Sequence, residues 1–128
     1  MQRAYRLRRP VDFQRVRAGK RSWGHPLLVL YVALNDGQPT RVGISVGKRV
    51  GNAVVRNRVR RRVREAVRLR HSELEPGQDL VFIARAPSAA ADWLSMREAT
   101  EDLLRRARLL SRPTSDRRRS AAHLAGNA

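Results

Sequence analysis

The chain has no cysteine, which excludes a disulfide framework and a thiolate metal site. Its longest apolar stretch, Leu27–Leu34, is far too short to span a membrane. The opening MQRAYRLRRP lacks the apolar run of a signal peptide. By elimination, the chain is expected to be cytoplasmic and to have no membrane partner. Aromatics are scarce, with two Phe, two Tyr and two Trp, so any cluster that stacks on flat ligands has to be small. Acids are also few, 11 against 28 Lys plus Arg. Of these, Glu98, Glu101 and Asp102 stand close enough to look like a metal cluster, but pairing with Arg97, Arg105 and Arg106 along a helix surface is the expected arrangement. His25, His71 and His123 are scattered surface residues by this reading, with no metal-ligand spacing among them. No catalytic residue, no metal ligand and no protein-bound cofactor is therefore assigned.

What the chain does have is positive charge. At 128 residues and a formal net charge of +17, it can form one compact domain, and that domain must repel itself unless a partner neutralises it. From Ser111 onward four arginines face one aspartate, so +14 belongs to the rest. Only Lys20 and Lys48 are lysines; the remainder is arginine, whose planar fork suits phosphate contact and base stacking.

The charge is densest between Lys48 and Arg70, where ten basic residues meet one acid, Glu65. Val55, Val59, Val63 and Val67 recur every fourth residue there, with Ala66 beside them, and mark one buried stripe of an α-helix. At ~100° per residue, Arg60, Arg61, Arg64 and Arg68 project to the opposite side, with Asn57 in their midst. A solvated helix surface usually mixes charge signs. This one-sided face is built to hold a polyanion.

The rest reads as one mixed α/β domain. Pro10 opens a short helix on which Phe13 and Val16 share a face, and Gly19 ends it. A strand near Lys20–Trp23 precedes Leu27–Leu34, which is apolar on both sides as a central strand is. Residues 35–39 turn. Arg41–Gly47 alternates, with Val42, Ile44 and Val46 on one face and the almost bare Gly43, Ser45 and Gly47 on the other, so something large can approach that second face. Asn52 caps the arginine helix, which runs to about Arg70. Asp79–Arg85 is another strand, closed by Pro87, and Asp92 caps a last helix with a stripe of Met96, Ala99, Leu103, Ala107 and Leu110. Residues 111–128 are expected to be a disordered basic tail behind a single domain of residues 1–110.

Arg41–Glu65, RVGISVGKRVGNAVVRNRVRRRVRE, resembles the signature of the bacterial ribonuclease P protein subunit. The core of the likeness is Arg56-Asn57-Arg58 followed by Arg60, Arg61 and Arg64. RLRRPVDFQRVRAGK, LLVLYVAL and DLVFIARAP match the family in order and spacing, so the likeness spans roughly Tyr5–Leu110. It implies an α+β two-layer sandwich, one mixed four-stranded sheet with three helices in the order αβββαβα, and a left-handed βαβ crossover against the usual rule. It also implies a role in binding the catalytic RNA of ribonuclease P and the 5′ leader of precursor tRNA, with cleavage done by RNA-bound Mg2+. The residues implied for the catalytic RNA are Lys48, Arg49, Arg56, Asn57, Arg58, Arg60, Arg61, Arg64 and Arg68. Those implied for the leader, in a cleft between the first helix and the sheet, are Phe13, Val29, Tyr31 and Ser45, with Arg49 a further candidate. Arg17 stands where the family often has a second aromatic; a guanidinium stack or a phosphate contact replaces it.

Three other readings fit parts of the pattern. A ribosomal or other structural RNA-binding protein shares the basic composition but needs no leader cleft. A DNA-binding helix-turn-helix needs a helix just before the arginine helix, where a strand is predicted, so no DNA partner is expected. An autonomous nuclease needs carboxylates or histidines converging on one site.

Overall fold

In a computed structural model, which describes residues 5–110, the order is α1 (Pro10–Ala18), β1 (Ser22–Gly24), β2 (Leu28–Leu34), β3 (Arg41–Ser45), α2 (Ala53–Arg70), β4 (Gln78–Ala84) and α3 (Trp93–Arg106). Short 3-10 turns at His71–Glu73 and Ala86–Ala90 follow α2 and β4. The strands form one mixed sheet in the order β1-β2-β4-β3. β4 is antiparallel to β2 and parallel to β3, so α2 is the crossover that a parallel neighbour requires. The expected αβββαβα order and the α+β two-layer core are both present. The tail beyond Leu110 lies outside the described residues.

Strand alternation divides the sheet into two faces. Leu28, Leu30, Val32, Val42, Leu80 and Phe82 point to one, where they pack with Val59, Val63 and Val67 of α2 and Met96, Leu103 and Leu104 of α3 in the main core. The valine stripe read from the sequence is that contact. Asn52 starts α2 as expected, its Oδ1 accepting from the Val55 amide at 3.0 Å, and Asp92 does the same for α3 through the Ser95 amide at 2.8 Å.

The other face carries a second cluster, Leu7, Val16 and Val81 with Phe13, Tyr31, Ala33 and Ile83 packed against it. α1 is short, so it covers this face only in part. A network of charges pins it there. Asp79 of β4 is fully buried and accepts from Arg41 at 2.9 and 2.7 Å, from Asn35 at 3.0 Å and from Arg15 of α1. Burial opposes ionisation of Asp79, but the bonds from Arg41, Asn35 and Arg15 outweigh it, and the carboxyl is held below its ordinary range. The N-terminal segment is fixed as well: the Leu7 amide donates to the Val42 carbonyl at 2.9 Å, covering part of the open edge of β3.

Some boundaries differ from the sequence reading. β1 starts two residues later than expected, and β3 ends at Ser45, although Val46 still joins the core. α3 ends at Arg106, so Ala107 and Leu110 of the expected stripe lie beyond it. Arg108 has φ 58°, a left-handed turn that redirects the chain, and Leu110 instead makes a bridge with Leu74. His25 and His71 are not plain surface residues. His25 Nδ1 accepts from the Leu27 amide at 3.0 Å, and the His71 ring packs at a tilt against Tyr5 with 4.3 Å between centroids. His123 lies outside the described residues.

Candidate RNA interface

The arginine face comes from the rotation of α2 against the core. With the valines inward, Asn57, Arg61 and Arg68 are exposed, and Arg60 and Arg64 are half-buried along one flank. Asn57 Oδ1 accepts from Arg60 at 2.7 Å. That bond orders the guanidinium before any ligand arrives, which lowers the entropy lost on binding. Glu65 is tied bidentately to Arg68, at 2.8 and 2.6 Å, and the pairing holds its carboxyl below the usual value. Arg64 experiences the opposite environment. Burial, then the like charges of Arg6 and Arg60, pull its guanidinium below its usual value, yet an arginine stays charged at neutral pH. Three crowded cations with no acid among them have the chemistry to hold an anion.

Arg64 also lines a pocket of about 230 Å3 with Arg6, Leu7, Arg8, Phe13 and Ile44. Arg6 and Arg8 were not among the expected site residues. They reach the pocket because the N-terminal segment pairs with β3, a contact no local pattern reveals. The pocket joins the arginine flank of α2 to the cleft under α1.

In that cleft, the bare face of β3 has its explanation. A Cβ on Gly43 would stand 2.5 Å from Phe13 Cζ, so the aromatic ring lies directly on the glycine backbone. Tyr31 stands beside it on the same sheet face. The Arg17 guanidinium carbon is 6.0 Å from the Tyr31 ring centroid, at the outer reach of a cation–π contact. Val29 is half-buried on the same face, paired across the sheet with Ile83. Ser45 lies further along, where it lines a groove of about 610 Å3 with Lys48, Arg49, Ile83, Arg85 and Pro87. Lys48 and Arg49 thus stand at the end of the cleft rather than on the arginine face of α2, and Arg85 is a third cation that was not expected there.

Arg58 and Arg62 brace the fold. Arg58 donates to the Ala89 carbonyl at 2.9 Å and Arg62 to the Ala91 carbonyl at 2.6 Å, bracing α2 against the Ala86–Ala90 turn. Arg56 is half-buried. On α3, Glu101 pairs with Arg97 as expected but also with Arg70 of α2, and Asp102 pairs with Arg106. Among the described residues no group of three or more His, Asp or Glu could hold a metal ion, and no helix is long and apolar enough to cross a membrane.

Comparisons with known proteins agree with this geometry. The Ribonuclease P family profile matches residues 1–108. The ribonuclease P protein component of Herpetosiphon aurantiacus is 50% identical over 109 residues, 85% of this chain and 89% of the relative. That of Chloroflexus aurantiacus is 48% identical over 117 residues, 91% of this chain and 87% of the relative. The Staphylococcus aureus RNase P protein structure superposes with a TM-score of 0.79 at 33% identity, covering 85% of this chain and all of that one. The Thermotoga maritima protein superposes with a TM-score of 0.73 at 30% identity, covering 79% of this chain and 98% of that one. The chain belongs to the ribonuclease P protein family, whose members work with an RNA subunit in removing the 5′ leader of precursor tRNA.

Proposed function

We propose that the two surfaces divide the labour of a ribonuclease P protein subunit in the cytoplasm. Arg60, Arg61, Arg64 and Arg68, with Asn57, hold phosphates of the catalytic RNA. The cleft of Phe13, Arg17, Val29, Tyr31 and Ser45, extended by Lys48 and Arg49, holds the unpaired leader of precursor tRNA. The observation that carries this reading is the segregation of chemistry. One surface offers crowded arginines with a single acid, Glu65, which is tied to Arg68. The other offers a ring, a phenol and a guanidinium laid over an open sheet face. Phosphate contacts are sequence-tolerant and long-ranged, whereas aromatic faces stack on unpaired bases.

Magnesium held by the RNA supplies the hydrolytic chemistry in this reading. The chain's own residues contribute position. The pocket of Arg6, Arg8 and Arg64, at the junction of the surfaces, keeps the backbone neutralised where the strand passes from cleft to RNA. The test is to measure holoenzyme affinity for precursor and mature tRNA in Phe13→Ala and Tyr31→Ala. Stacking is worth ~1–3 kcal/mol per base, so precursor affinity should fall about five- to a hundred-fold while mature tRNA affinity holds. Equal losses for both substrates reject the leader cleft. A structural RNA-binding protein has no such asymmetry, and a helix-turn-helix reader needs a helix where β3 stands.

A further inference from the structure

Trp93 opens α3, on the flank of α2 away from the leader cleft. It is half-buried, yet it packs against neither hydrophobic cluster. Its neighbours are polar. With Arg61, Arg62 and Glu65 it lines an open pocket of about 360 Å3, within the ~300–1,000 Å3 range of small-ligand sites. Neither of the two cation–π contacts found among the described residues involves its ring.

The walls of the pocket are preset. Arg62 is anchored through its bond to the Ala91 carbonyl, and Glu65 through Arg68. Arg61 remains exposed. A carboxylate beside the ring disfavours a bare phosphate. It can still accept from the exocyclic amine of a nucleobase, because an ionised carboxylate has about four lone-pair positions and Arg68 uses two. A flat ring, a neighbouring exposed guanidinium and an acceptor at the edge together match a base on its sugar-phosphate.

We propose that Trp93, Arg61, Arg62 and Glu65 form a stacking site for one unpaired nucleotide of the catalytic RNA. The inference rests on the reading of α2 as the RNA-binding face. Arg61 belongs to both surfaces, so the pocket extends that interface from α2 onto α3 without a break. Phe13 and Tyr31 lie across the sheet from it, which makes the two aromatic sites separable.

The chain has two tryptophans, so Trp23→Phe leaves Trp93 as the sole emitter. In that background, titration with the catalytic RNA should quench the emission, as stacking on a base does. Separately, Trp93→Ala should weaken RNA affinity by about five- to a hundred-fold, and Trp93→Phe should restore most of it. Both variants should keep the wild-type ratio of precursor to mature tRNA affinity. Emission unchanged at RNA saturation overturns the site, whatever the fold of Trp93→Ala does, and so does unaltered affinity in Trp93→Ala. Arg60→Ala is the control. If it weakens RNA binding while Trp93→Ala does not, the stacking site alone fails. If neither variant weakens binding, the α2 interface itself fails.

Discussion

Gly43→Ala adds a single methyl group, and the structure says where it goes. The new Cβ would stand 2.5 Å from Phe13 Cζ, 2.9 Å from Cε2 and 3.0 Å from Cε1. Carbon atoms settle at about 3.5–4.0 Å, so the ring has to retreat by roughly 1 Å or more. The strand cannot yield easily, because β3 is held in register against β4 from Arg41 to Ser45. Phe13 can, since it is half-buried on a short helix at the edge of the cluster. Overpacking of this kind costs about 1–3 kcal/mol, and relief by a swinging ring favours the lower end. In the proposed leader cleft there should be a functional cost as well, because the ring no longer presents its face beside Tyr31. Precursor tRNA affinity should fall by a large part of the Phe13→Ala loss, with affinity for the catalytic RNA unchanged. The double variant Phe13→Ala/Gly43→Ala should bind no worse than Phe13→Ala, since the methyl then meets empty space. Additive losses in this cycle, or a Gly43→Ala protein with wild-type leader affinity, would refute the reasoning.

Arg60 and Arg64 on α2 and the buried Asp79 are open to the same kind of test. Arg60→Ala and Arg64→Ala should each weaken association with the catalytic RNA and reduce the log–log salt slope by roughly 0.7–0.9; unchanged slopes for both would remove these residues from the interface. Asp79 has a folded-state pKa below its unfolded one, so its contribution to stability is present above the unfolded value of about 3.9 and is lost as pH falls from there through the folded value. Asp79→Asn should lower stability at pH 7 by about 1.5–3 kcal/mol and flatten the acid limb of a stability–pH curve below about pH 4; an acid limb as steep as the wild type's would contradict the network.

The parts of the fold legible in the sequence were those set by local pattern. Valines every fourth residue, Asn52 and Asp92 as caps, and the glycine–serine face of β3 each follow from helix or strand geometry within a few residues. The bare face even announced a close neighbour, though only the fold identifies it as the Phe13 ring. What stayed hidden depends on contacts distant in sequence. Asp79 meets Arg15 and Arg41 from separate elements, and a lone acid in an apolar strand carries no local sign of its partners. Arg6 and Arg8 enter the site only because their segment docks on β3. Periodicity gives the azimuth of Arg58 and Arg62 on α2 but not the carbonyls of Ala89 and Ala91 that occupy them. The basic helix was therefore readable as a helix with an outward arginine face, while the split between arginines left facing outward and arginines that brace the fold was not.

In the proposed role, this chain positions substrate for a catalytic RNA. Cleavage of precursor tRNA at limiting magnesium, with the RNA alone, the protein alone and the two together, tests it most directly. The protein alone should cleave nothing at any magnesium concentration, and adding it to the RNA should raise the rate of specific 5′ maturation. Specific 5′ maturation by the RNA-free protein, or a catalytic RNA indifferent to its addition, would contradict it.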